Sequence, residues 1–482
     1  MNKKTFSRPV FLKTIAIIAI PVALQNLLTT TGSMVDTMML ATLGETTVGA
    51  AGLCAQFSSL FFSCYWGFIG GGTLFVSQYW GAKNGDGIRR AYGVTMFLVL
   101  TVGVVFCILS LFFPDLVMGI YTNNPEIQQI GIRYLRIVGY SYPLQSITIV
   151  MCMLLRATEH VRIPLIGGIV SVCSNCFFNY IFIFGKFGAP ALGAPGAAIG
   201  TCIASFLNLA VLVTFSVALK IPYVLEFRRC FKWNKDFIFL YLRRCFPILC
   251  NEFAIGVSNV LINIVLGRQS APAIAAVAVY RTVEGVVIAF FSGFSSAASI
   301  LVGKEVGAGD HEEAQVNAVR IVYLTSAIIS IVGLGLMAFH TPLFTMMGLS
   351  GESFEICTVL CAIYCVVAII RMGNWQQNDC FRAAGDPAFG TIMEITFMYL
   401  MVIPCVYISY FVFHAPFYLV FVLMYCDEPI RYIIMQRHLY SRKWIQPVSD
   451  KGMATIEAFR EKYHVRMGYP VVEAVKKAFR KV

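Results

Sequence analysis

The sequence predicts an all-α polytopic membrane protein, with twelve transmembrane helices in two parallel six-helix repeats. Three observations predict it. Of the 482 residues, 58% are hydrophobic and only 13% charged, against roughly 45–50% and about 25% in soluble domains. So few charges cannot solvate a water-facing surface, whereas hydrocarbon demands few, because each costs about 2.5–3.5 kcal/mol at a helix centre. Apolar runs of bilayer length, about 20 residues, recur along the whole chain. Finally, three separated anchors repeat at one offset of 226: Val76–Ala82 on Val302–Ala308, Leu155–Thr158 on Phe381–Ala384, and Pro21 on Pro247.

The first repeat supplies spans near 13–38, 50–76, 91–114, 132–154, 163–184 and 194–217. The second supplies 239–263, 275–302, 317–340, 355–378, 389–410 and 414–435. The offset covers six spans, an even number, so the halves share one orientation and are related by an axis along the membrane normal. This divides the chain into an N-terminal segment (1–11), a lobe (12–218), a basic linker (219–237), a second lobe (238–436) and a basic tail (437–482).

Short-loop charge sets the orientation. Lys3, Lys4, Arg8 and Lys13 precede the first span, and Lys83, Arg89 and Arg90 follow the second. Lys220, Arg228, Arg229, Lys232, Lys235, Arg243 and Arg244 cluster around the linker. The alternating loops 41–47, 114–129 and 341–354 hold neither Lys nor Arg. Both termini are therefore expected in the cytoplasm and the chain in the cell's cytoplasmic membrane. The formal charge of +12 resides in these flanks and in the tail, which holds eleven Lys/Arg against four Asp/Glu. Such placement points to anionic membrane lipids as partners and away from nucleic acid. Within the tail, Ala454, Ile456, Phe459, Val471, Val472, Val475 and Phe479 among basic residues predict short amphipathic helices on lipid or on the lobes.

Certain classes are excluded. No GxxxxGK[ST] run cradles nucleotide phosphates, so transport would draw on an ion gradient or a separate ATPase. The six His show no metal-ligand spacing, and an enzyme is not expected; neither is a cofactor. The sixteen Cys are scattered through apolar runs and read as small packers, and the CxxC of Cys173 and Cys176 has no second pair for zinc.

Polar residues inside the spans carry the chemistry. Asp36 lies in the outer half of the first span with no charge for more than twenty residues upstream. It is either a coupling group or a helix-end residue solvated at the surface. Pro21 in the same span removes a backbone donor and favours a bend, and Pro247 does so in the second half. Gln25, Asn26 and Ser33 are expected to face protein rather than lipid. Glu252 stands at the repeat position of Asn26 and is a second coupling candidate, or a member of a static ion pair. Arg281 and Glu284, at i,i+3, can pair on one face. They form a buried salt bridge or, with Glu252, a charged cavity. Arg371 is a counter-charge to Glu252 or Glu284. Asn175 and Asn179 share a helix face as interhelical glue or as cargo or ion contacts. Arg156 and Arg382 are expected at cytoplasmic helix ends, snorkelling to lipid. Gly81 and Gly307, at one repeat position, are expected to be structural.

In order and spacing, Pro21–Gln25, Val35–Met39, Leu43-Gly44, Val76–Ala82, Ile183–Gly185, Gly196–Ala198, Phe246-Pro247, Val302-Gly303 with Gly307, and Arg382–Asp386 resemble the multidrug and toxic compound extrusion (MATE) family over about residues 12–435. The resemblance implies two six-helix lobes around a central cleft. It also implies a secondary antiporter exporting small organic, cationic compounds against H⁺ or Na⁺, functional as a monomer. Asp36 matches the family's cation-coupling acid, where Asn179 is a candidate Na⁺ ligand, and Glu252 matches an acid of one subgroup. Two departures stand out. Arg156–His160 loses the Gly and Asp of the Arg-x-x-Gly-Asp pattern, and Arg371 replaces an acid, which weakens a second-lobe Na⁺ site. The alternative is a flippase for a lipid-linked precursor, which should line its cleft with more cations.

Overall fold

The computed structural model describes residues 8–225, 230 and 233–465. The described residues form helices and turns with no strand. The first half comprises α1 (Arg8–Ala41), α2 (Glu45–Gly81), α3 (Gly85–Phe112), α4 (Pro125–Val138), α5 (Ser141–Ala157), α6 (Arg162–Phe184) and α7 (Ala194–Ala218). The second comprises α8 (Lys235–Leu266), α9 (Ala271–Ala308), α10 (His311–Ala338), α11 (Glu352–Ala384), α12 (Pro387–Phe411), α13 (Phe417–Leu423) and α14 (Glu428–Ser441); α15 (Asp450–Lys462) follows. Ten of these are long and apolar enough to cross a membrane, and the pair α4–α5, bent by 50° at Gly139-Tyr140, makes an eleventh. The chain is a multi-pass membrane protein.

Local signals explain the ends. Asn84 and Asn234 accept backbone N–H groups at the starts of α3 and α8, satisfying donors the helix leaves open. Both α1 and α8 run unbroken across Pro21 and Pro247.

The repeat is visible in the backbone. Left-handed residues recur 226 apart: Lys83 (φ 57°) with Gly309 (φ 85°), Glu159 (66°) with Gly385 (100°), and Gly188 (82°) with His414 (45°). Short helices Pro114–Tyr121 and His340–Met346 also begin at equivalent positions. One expected span differs. The run 414–435 is two short helices, α13 and α14, separated by a turn over 424–427. Asp427, Glu428 and Arg431 are buried at that break, and continuous apolar helix gives way to a polar network.

Each lobe has an aromatic core, Phe57, Phe61, Phe106 and Tyr142 in the first and Tyr280, Tyr364 and Phe421 in the second. A third cluster joins α1, α9, α10 and α11 to the tail through Ile15, Leu301, Ile321, Phe381, Trp444 and Ile456. Thus α15 packs Ile456 and Phe459 against the lobes, one of the two placements the amphipathic pattern allows, while Ala454 stays exposed. Val471, Val472, Val475 and Phe479 lie outside the described residues, as do Lys3, Lys4, Arg228, Arg229 and Lys232.

The halves meet at two symmetry-related crossings. A methyl group on Gly81 would overlap the Lys304 carbonyl, and one on Gly307 the Gln78 carbonyl; Gly67 against Leu249 and Gly293 against Ala23 repeat the arrangement. Each pair maps onto its mate by the offset of 226. The crossings occupy the C-terminal halves of α2 and α9, on the predicted cytoplasmic side. No residue is exposed from 67 to 81 or from 287 to 309, whereas both helices regain exposed positions toward their N-terminal ends.

Candidate functional site

Among the described residues, three of the polar constellations in the interior involve the expected site residues. In the first lobe, the half-buried Asp36 of α1 faces α6. Asn179 Nδ2 donates to Asp36 Oδ1 at 2.7 Å. The Asn175 amide, placed with its nitrogen toward the carboxylate, donates to both oxygens at 2.7 and 3.0 Å. The i,i+4 spacing on α6 is what brings both amides to one carboxylate. Gly200 on α7 leaves room for this, since a side chain there would strike Asn179 Oδ1. That oxygen is buried without a partner among the described residues, and Asn175 also lies 3.5 Å from Thr201 Oγ1. Among the described residues, no Lys or Arg pairs with Asp36.

In the second lobe, Arg371 of α11 pairs with Glu284 at 2.5 Å and with Glu428 at 3.9 Å. Arg281 reaches Glu284 at 3.2 Å. Arg431 holds Glu428 at 2.7 Å and Asp427 at 3.4 Å. The Arg371 guanidinium also lies 4.9 Å from the Trp375 ring centroid and 5.4 Å from that of Tyr425, a cation–π geometry. These groups line a cavity of about 220 Å³ together with Glu394, whose carboxylate accepts from Asn251 at 3.0 Å and Asn378 at 3.3 Å. Arg281, Glu284 and Arg371 therefore come together as expected. Glu252 does not join them.

Glu252 instead stands 3.9 Å from Arg382, beside the third constellation. This is a cavity of about 160 Å³ between the lobes, walled by α2, α5, α9 and α11 and containing Arg156, Arg382, Asp379 and Ser295. The expectation that Arg156 and Arg382 snorkel to lipid is therefore corrected. Both side chains turn inward because α5 and α11 pack their final turns at the lobe interface. Arg156 Nη2 donates to Gln25 Oε1 at 2.6 Å, Ser295 donates to Asp379, and Asn26 to Ser292. The Asp36 site and this cavity are thus linked to one helix, α1.

Sequence reasoning did not assign Arg156, Arg382, Asp379, Glu394, Asp427, Glu428 or Arg431 to a site. A signal existed for the last three, since three ionisable residues within five positions of an expected span are costly unless paired. Arg156 and Arg382 sit at the repeat offset, which marks them as a symmetric pair.

The family model described as MatE matches residues 21–181 and 247–408. The two matches start at Pro21 and Pro247, the repeat offset again. Among relatives, the chain is 23% identical to the uncharacterized transporter YisQ of Bacillus subtilis, over 87% of this chain and 91% of that one. It is also 23% identical to the probable multidrug resistance protein NorM of Thermotoga maritima, over 89% and 92%. A MATE crystal structure in complex with MaL6 superposes with a TM-score of 0.81 at 16% identity, covering 89% of this chain and 97% of that one. An outward-facing multidrug resistance MATE transporter gives 0.79 at 17% identity, covering 89% and 96%.

Proposed function

The chain belongs to the MatE family, and from that premise we propose that this membrane transporter is a secondary antiporter exporting small organic molecules with a cationic group in exchange for H⁺ or Na⁺. The observation that carries the reading is Asp36, a carboxylate inside the first lobe held by two asparagine amides and, among the described residues, by no cation. An arginine partner would neutralise the carboxylate permanently. Neutral amides hold it in place while leaving its charge to be met by a proton or a metal cation. For Na⁺, the unpartnered Asn179 Oδ1 and the Thr201 hydroxyl supply further oxygens of the hard type such cations take. For H⁺, Asp36 suffices alone.

The second-lobe network suits a static role better. Its three guanidinium groups are each ion-paired with a carboxylate, and breaking such a pair without replacement is costly. The basic flanks support a cytoplasmic-membrane location with both termini inside and contact with anionic lipid.

Reconstituted vesicles with an imposed pH or Na⁺ gradient test the proposal. Asp36→Asn keeps size and hydrogen-bonding reach but removes the titratable charge. Gradient-driven efflux of a cationic dye should fall by at least about tenfold, one lost charge interaction of roughly 1.4 kcal/mol, with the protein still folded. Undiminished transport by D36N under the same gradient would remove Asp36 from the mechanism.

A further inference from the structure

We propose that the groove between the inner ends of α1 and α6, on the bilayer face of the first lobe, binds an anionic phospholipid, Lys13 and Arg162 receiving its phosphate and the apolar face of α1 an acyl chain. The inference rests on the orientation proposed above, with the N-terminus in the cytoplasm, and adds a partner and its place. Lys13, Ala16, Ile17, Ile20 and Pro21 recur at helical spacing on one face of α1, and Arg162, the first residue of α6, joins them. The groove they line has a volume of about 290 Å³, more than either interior cavity described above. Ile17 and Ile20 are 49% and 52% exposed within it, so it opens sideways to lipid. Farther out the two helices touch. A side chain on Gly168 would strike Gln25, one on Gly32 would press on Val172, and Asn179 reaches Asp36. Inward of those contacts lies the groove.

Both cations are exposed and, among the described residues, neither meets a carboxylate. Glu159, the acid nearest to Arg162 in sequence, is occupied by Lys304 and Trp80. No acid lies on α6, and the single acid of α1, Asp36, stands near the opposite end of that helix. The groove thus presents two positive charges and no negative one at the depth of the lipid phosphates. An ammonium and a guanidinium fork together suit phosphate oxygens, and the start of α6 adds partial positive charge. From Lys13 to Pro21 the face runs about 12 Å at 1.5 Å per residue, most of the roughly 15 Å hydrocarbon depth of one leaflet. An acyl chain therefore fits along it while its phosphate sits at the basic end. A zwitterionic headgroup would add a third positive charge to two unpaired ones, whereas a net anionic one offsets them. A free phosphate would leave Ile17 and Ile20 uncovered. Bound here, the lipid bridges the inner ends of the two helices whose outer halves hold Asp36, Asn175 and Asn179.

Native mass spectrometry of the full chain, purified in detergent and stripped of lipid, reads the first lipid bound. The probes are dioleoylphosphatidylglycerol and dioleoylphosphatidylcholine, which share chains and phosphate but differ in net charge. The wild type should bind the first phosphatidylglycerol at least about tenfold more tightly than phosphatidylcholine. Lys13→Gln and Arg162→Gln should each weaken phosphatidylglycerol about fivefold, the size of roughly 1 kcal/mol per basic residue near anionic lipid. The double variant should bind the two lipids within about twofold of each other; if it does not fold, the single variants carry the test. Ile20→Trp, which fills the groove and keeps both charges, should weaken both lipids. Arg243→Gln removes an exposed cation outside the groove and should change neither. Glycerol phosphate, the headgroup chemistry without chains, should not displace bound phosphatidylglycerol at equal concentration. Equal affinities in the wild type, a preference that survives loss of both cations, a loss in R243Q as large as in R162Q, undiminished binding by I20W, or displacement by glycerol phosphate would overturn the proposal. D36N should bind phosphatidylglycerol as the wild type does, so a failure of Asp36 coupling and a failure of this site give different results.

Discussion

Glu159 shows what one residue can trade. It adopts φ 66°, where its repeat mate Gly385 has φ 100°, and a side chain in that region costs about 1–2 kcal/mol. The sequence marks the position as a departure from the Arg-x-x-Gly-Asp pattern but cannot show why. In the structure the Glu159 carboxylate accepts from Lys304 Nζ at 2.7 and 2.9 Å and from Trp80 Nε1 at 3.1 Å. Lys304 belongs to the other lobe, so the strained residue ties the halves together. Exposed ion pairs give about 0.2–1 kcal/mol, and this one is only partly buried, so strain and contact nearly offset. Glu159→Gly, which relieves strain and loses contacts, is expected to leave the thermal midpoint of the purified protein within about 2 °C of wild type. Glu159→Ala, which loses contacts and keeps the strain, should lower it further, by roughly 1 kcal/mol in stability. An Ala variant as stable as the Gly variant would show that the left-handed backbone carries no cost.

At the scale of elements, eleven of the twelve expected spans match helices or a bent helix pair, because hydrophobic length is a local property that a sequence displays directly. The exceptions have local causes. Gly139-Tyr140 breaks the fourth span, where the equivalent α11 is continuous over 33 residues. Asp427, Glu428 and Arg431 break the twelfth, where the equivalent α7 is continuous over 25. An average over 414–435 remains apolar and conceals three charges within five positions; their mutual pairs and their partners on α11, Arg371 and Asn374, explain their burial. The broken segment should therefore depend on its ion pairs. Arg431→Met would leave Asp427 without its ion-pair partner and Glu428 with the Asn374 amide and the distant Arg371. Such a break costs about 3–5 kcal/mol, and the thermal midpoint should fall by at least about 3 °C. A change under about 1 °C would mean that water or rearranged neighbours already satisfy the two acids.

Across the whole molecule, the repeat was legible from three short anchors, yet the site between the repeats was not. An offset reports that two halves are alike, but says nothing of which faces meet. The Asp36–Asn179 pair was reachable because both residues are polar in apolar surroundings and match a family pattern. The inward turn of Arg156 and Arg382 was hidden, since a basic residue near a helix end has an adequate explanation in lipid. The crossings show which faces meet, and they make a close inter-lobe approach a property of two glycines. At Gly81 and Gly307 the obstructing atoms are backbone carbonyls of Lys304 and Gln78, which cannot swing aside as a flexible side chain would. The tail seals the same region: Val448 N–H donates to Gln78 Oε1 at 2.8 Å and the Ser449 hydroxyl to Gly307 O at 2.8 Å. Gly81→Ala and Gly307→Ala should consequently force the lobes apart on the predicted cytoplasmic side, and by pseudo-symmetry to a similar degree. Ser299→Cys in the cavity wall supplies the reporter. In inside-out vesicles an impermeant maleimide should label it at least about threefold faster in either glycine variant than with both glycines intact, a shift of roughly 0.7 kcal/mol in the closed–open balance. Gradient-driven efflux should fall in parallel. Unchanged labelling in both variants would mean that the lobes absorb a methyl group without opening, and that the crossings do not hold this side shut.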